Sequence, residues 1–92
     1  MSPPRFRRAR GIRAFADKDG GWTLLARSGE AYALRNAASL ALWEALAEGG
    51  DLETLTDRLA RLFPRAERAV LRRDAARFVR SLVARRFAAP VD

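Results

Sequence analysis

Arginine is the side chain best supplied for chemistry in this chain, and the usual catalytic groups are missing. The 92 residues include no histidine and no cysteine, which removes thiolate and imidazole metal ligands together with the commonest general base. Carboxylates, one tyrosine, hydroxyls and arginine remain. Tyr32, Ser39, Glu44 and Asp74 form no nucleophile–base pair in the sequence, and a lone carboxylate in a domain this small is rarely a catalyst. The expectation is a protein that is not an enzyme and holds neither metal nor cofactor. Arg73, Arg77 and Arg80 follow a three-to-four spacing that puts them on one helix face. Such a face suits phosphates or an acidic polypeptide. The plainer reading is a solvated face on which Asp74 pairs with its neighbours.

The formal charge of +7 comes almost wholly from arginine, Lys18 being the only lysine. That balance favours acidic partners, either nucleic acid or polypeptide, although a GC-rich gene would produce the same bias. Arginine interrupts every apolar run, so neither a membrane span nor a secretory signal is expected, and the cytoplasm is the default compartment. Ninety-two residues suffice for one domain with a small core.

The elements that must position these residues come in two groups. Residues 1–10 carry Pro3, Pro4 and four arginines, which predicts a flexible basic tail ahead of a domain spanning 11–92. Short strands are predicted at Ile12–Ala16, Trp22–Ala26 and Ala31–Leu34, separated by the turn clusters Asp17-Lys18-Asp19-Gly20-Gly21 and Arg27-Ser28-Gly29-Glu30. Three helices follow. Asn36 opens the first, which Gly49-Gly50 ends as a helix–helix connection. Asp51 caps the second, whose leucines at 52, 55, 59 and 62 recur at helical spacing before Pro64. The third begins near Ala66 or Glu67 and carries Val70, Leu71, Ala75, Phe78, Val79, Leu82 and Val83 on its apolar side. Ala88-Ala89-Pro90 closes the chain. The aromatic set Trp22, Tyr32, Trp43, Phe63 and Phe78 is spaced for core packing.

The segment from Gly29 to Trp43 joins the third strand directly to the first helix. Its strand therefore lies where a small sheet meets a helical layer and can have a free edge, which an extended peptide can join. The basic tail or a second copy of the chain would be the alternative cover. A winged-helix DNA-binding regulator is the competing use of an arginine-rich third helix. Recognition helices, however, usually bring Asn, Gln, Ser or Thr to base edges, and Ser81 stands nearly alone.

Gly29, Tyr32, Asn36, Trp43, Gly49, Leu52, Leu55, Leu59, Phe63, Val70, Asp74, Phe78 and Leu82 occur in an order and spacing that resembles the PqqD-like family, the peptide chaperones and precursor-recognition elements of natural-product biosynthesis. The resemblance covers roughly residues 12 to 89. It implies an α+β, winged helix-turn-helix-like fold with a three-stranded antiparallel sheet followed by three helices. It also implies binding of the leader segment of a ribosomally synthesised precursor peptide by strand addition to the third strand, in a groove walled by the third helix. The peptide-binding residues would be Ala31, Tyr32, Ala33, Leu34 and Arg35 on the strand, with Arg73, Asp74, Arg77, Phe78 and Arg80 opposite. The partners implied are that leader peptide and a modifying enzyme, such as a radical SAM protein, a leader protease or a cyclase, in pyrroloquinoline quinone or lasso peptide biosynthesis. In this chain Arg35 stands between Leu34 and Asn36, where the family has Leu directly before Asn.

Overall fold

Local turn chemistry builds the first sheet of the computed structural model, which describes residues 3–91. Strands β2 (Arg13–Ala16), β3 (Trp22–Leu25) and β4 (Ala31–Leu34) follow β1 (Arg5–Arg8). β2, β3 and β4 form an antiparallel meander in that order. One device makes both of its hairpins. The Asp17 N–H donates to Gly21 O at 2.8 Å and the Ala26 N–H to Glu30 O at 2.9 Å. Gly20 and Gly29, each at φ +91°, occupy the left-handed position that closes a three-residue loop. The Asp17 carboxylate also accepts from the Thr23 hydroxyl at 3.0 and 3.1 Å.

Helix α1 (Ala37–Ala45) starts at Asn36, whose side chain accepts from the Ser39 N–H at 2.8 Å in a capping box. Strand β5 (Gly50–Asp51) and helix α2 (Leu52–Leu62) follow, and Asp51 caps α2 by accepting from the Thr54 N–H at 2.9 Å. That bond first, and then one from the Thr54 hydroxyl at 2.9 Å, holds the Asp51 carboxyl below the usual carboxylate range. Helix α3 (Arg68–Ala84) packs along α2 and is pinned to it at the surface. Arg68 donates to Glu53 at 2.7 Å and to Asp57 at 2.6 Å, and Arg72 donates to Glu53 at 3.1 Å. Arg68 first, then Arg72, lowers the Glu53 pKa, and Glu53 in turn raises that of Arg68. No helix among the described residues is long and apolar enough to cross a membrane.

Three sequence expectations are corrected. The basic tail is not free over its whole length: Arg5–Arg8 is strand β1, the centre of a second antiparallel sheet ordered β5-β1-β6, with β6 at Ala88–Val91. Arg5 pairs with both Asp51 and Val91. Arginine permits this because its stem can lie on apolar surface while the guanidinium finds partners. Arg8 Nε donates to Trp43 O at 2.9 Å, and its guanidinium lies 4.3 Å from the Trp43 ring centre. Burial pulls the Arg8 pKa below the ordinary arginine range, opposed by nearby Glu44. Met1 and Ser2 of that expected tail lie outside the described residues. Second, the Gly49-Gly50 link is not a plain helix–helix connection, since Gly50 is buried in β5. Third, Phe63 is 39% exposed rather than in the core, and Phe87, fully buried, takes that place.

Phe87 reaches the core because α3 ends in a tight reversal. The Phe87 N–H donates to Leu82 O at 2.8 Å and the Arg86 N–H to Val83 O at 3.1 Å, with Arg86 itself at φ +66°. The core joins the meander to all three helices through Leu24, Leu34, Leu42, Leu46, Leu55, Leu59, Leu82 and Phe87, each no more than 2% exposed, and Ala88 of β6 brings in the second sheet.

Candidate functional site

The Ala26–Glu30 hydrogen bond sets which backbone groups of β4 are spent. Bonding alternates along an antiparallel ladder, so Tyr32 and Leu34, opposite Leu24 and Trp22, turn their peptide groups toward β3. Ala31 and Ala33 turn theirs outward. Among the described residues no strand pairs with that outer side. The side chains alternate in the opposite sense: Ala31 and Ala33 are exposed, Tyr32 is half-buried and Leu34 is buried.

Beside this edge lies a hollow of about 370 Å³. Tyr32 forms its β4 side, Asn36, Ala38, Ser39 and Leu42 come from the cap and body of α1, and Leu59 from α2. Asp74, Arg77, Phe78 and Ser81 supply the α3 wall, a stripe at three- and four-residue steps. Tyr32 is the hinge of the arrangement. Its ring meets Phe78 edge-on at 6.1 Å and Phe87 at 5.6 Å, and its hydroxyl donates to Ser81 Oγ at 3.0 Å. The floor is thus apolar and fixed. Asp74 and Arg77 bring both signs of charge to the rim.

Of the ten residues expected from the sequence, Tyr32, Asp74, Arg77 and Phe78 come together around the hollow, while Ala31 and Ala33 present the open edge. The other four do not join them. Leu34 faces the core at 2% exposure. Arg35 turns toward the first hairpin, 3.8 Å from Asp19. Arg73 and Arg80 are exposed and do not line the hollow, because each helical residue turns the side chain by about 100°. Among the described residues the ion pairs engage Arg35, Arg68, Arg72 and Arg85 rather than Arg73, Arg77 or Arg80. Ser81, Ser39 and Arg85 were not foreseen. Ser81 lies three residues after Phe78, so helical spacing alone could have shown it.

This geometry defines a class: a small α+β domain that keeps one sheet edge open above a helix-walled hollow. The family model described as Coenzyme PQQ synthesis protein D (PqqD) matches residues 21–88, and the chain belongs to that family. Comparison with curated proteins gives no match. Two solved structures are similar across nearly the whole chain. One, described as lasso peptide synthetase B1 complexed with the leader peptide, is 27% identical with a TM-score of 0.73, covering 92% of this chain and 98% of the other. The second, TbiB1 in complex with the TbiA(beta) leader peptide, is 22% identical with a TM-score of 0.75, covering 89% and 93%. It shares the fold.

Proposed function

We propose that this chain binds the leader segment of a ribosomally synthesised precursor peptide as an added strand on β4, and presents the precursor to a modifying enzyme or leader protease in the cytoplasm. The observation that carries the reading is the outward backbone of Ala31 and Ala33 beside the hollow lined by Tyr32, Asp74, Arg77 and Phe78. Family membership and the 27%-identical structure described as complexed with a leader peptide support it.

Magnitudes divide the labour. Two or three backbone hydrogen bonds contribute about 1 kcal/mol each, whereas micromolar affinity requires about 8 kcal/mol. Strand pairing therefore supplies register, and burial must supply most of the affinity. A large apolar guest side chain in the hollow adds about 1.5–3 kcal/mol, and the unpaired arginines of α3 attract acidic guest residues. Chemistry is left to the partner, a radical SAM enzyme, leader protease or cyclase, which gains from the raised local concentration of its substrate.

The test is a fluorescence-anisotropy titration with a fluorescein-labelled synthetic leader from the precursor encoded beside this chain. Saturable binding that weakens only modestly with salt is expected. Absence of binding overturns the reading, as does preferred binding to a random DNA duplex with steep salt dependence.

A further inference from the structure

The open edge of β4 is already occupied at one end by the protein itself. Arg85, just past the last turn of α3, reaches across the groove, and its Nη2 donates to Ala31 O at 2.7 Å. Ala31 O is one of the two outward carbonyls of β4, so this bond uses a position that an added strand would need. The same guanidinium donates through Nε to Glu30 Oε1 at 2.9 Å and lies 4.8 Å from the Tyr32 ring centre. Two hydrogen bonds and an aromatic face hold the planar fork.

We propose that Arg85 is a specificity-determining residue that stops strand addition at Ala33 and so fixes the register of the guest peptide. This deepens the leader-binding reading and rests on it. The reason lies in the exchange that further pairing would require. A guest N–H in strand register would have to crowd or displace the charge-assisted hydrogen bond that Arg85 already makes to Ala31 O, and the neutral bond it offers is the weaker of the two. It would also draw the guanidinium away from Glu30 and Tyr32. The exchange is uphill, so the guest turns away from the edge after pairing with Ala33. Side chains that follow meet Arg85 and the exposed part of the Tyr32 ring, which Phe87 backs from the core at 5.6 Å.

N-methylation of one guest residue at a time tests this, because each methyl removes one backbone donor. The probe is the same fluorescein-labelled leader, titrated against the wild-type chain and R85A. In the wild type one methylated position is expected to cost about three- to tenfold in affinity, the loss of a single hydrogen bond. In R85A a second sensitive position is expected, two residues from the first. Two sensitive positions in the wild type, or the same single position in both proteins, overturns the proposal while leaving strand addition intact. Should R85A not fold, the wild-type count of one or two decides. No sensitive position in the wild type, with the unmethylated leader bound, overturns strand addition itself and the proposal with it.

Discussion

The two sheets of this domain are assembled in opposite ways. In β5-β1-β6 the central strand is flanked on both sides by segments from distant parts of the chain. In β2-β3-β4 every neighbour is a hairpin away, and among the described residues the strand next to the helical layer has no strand on its outer side. A row of unpaired backbone groups is ordinarily a liability. Here the chain spends its own ends on β5-β1-β6, and the outer side of β4 borders the hollow lined by Tyr32, Asp74, Arg77 and Phe78. The sheet β5-β1-β6 therefore closes the domain, and the meander β2-β3-β4 is the one to which the proposed guest strand would add.

Substitutions can break that contrast, and the largest effect is expected at the junction of the two sheets. Phe87, fully buried and 5.6 Å from Tyr32, ties β6 to the floor of the site. Phe87→Ala should cost about 3–5 kcal/mol, read as a fall in melting temperature of more than about 12 °C. Next comes Ala33→Pro, which removes an outward donor from β4. Leader affinity measured by anisotropy should drop about tenfold or more, while the circular dichroism spectrum and melting temperature change little, because that N–H does not serve β3. An unchanged affinity would mean that the guest does not use this edge. Arg8→Ala reverses the pattern: loss of the bond to Trp43 O and of the stacking on its ring should cost about 1–2 kcal/mol of stability and leave leader affinity unaltered. Arg86 adopts φ +66°, so Arg86→Gly should raise stability by a few tenths to about 1 kcal/mol in urea denaturation.

The smallest effect is a dependence on pH. Glu53 is held below the ordinary glutamate range by Arg68 first and Arg72 next. Between the folded and unfolded values the unfolded chain binds more protons, so this contribution is present above about pH 4.3, the unfolded glutamate value. It is lost as pH falls through the lower folded value. The urea midpoint should decline over that acid range, and Glu53→Gln should flatten the decline. The group is exposed, so the amplitude is small and shrinks with added salt.

How much of this could be read from the sequence follows from the range of the interactions. Asp17-Lys18-Asp19-Gly20-Gly21 and Ser28-Gly29 announce their turns because the bonds that close them join residues a few positions apart. Asn36 and Asp51 announce helix starts for the same reason. The meander, the three helices and the open third strand of the sequence reading were legible on those grounds. Strand β1 was not, since Arg5–Arg8 has no apolar alternation and pairs with residues 50–51 and 88–91. Phe63 and Phe87 were confused because spacing does not show which aromatic a helix end turns inward. Phe63 sits at the exposed C-cap of α2, whereas the reversal at Arg86 directs Phe87 under α3. Within the site, helical spacing grouped Arg77 with Arg73 and Arg80, and the family resemblance added Asp74 and Phe78, but neither separated the residues that line the hollow from Arg73 and Arg80. No local pattern could connect Arg85 with Ala31, because their contact exists only once α3 is laid beside β4.

The pairing of Arg5 with Val91 has a practical consequence. The polypeptide enters and leaves the domain at adjacent points on a sheet that does not include β4, much as a plug-in cartridge has both leads on one side. A reporter or enzyme joined at either end would start from that sheet rather than from a strand of the meander.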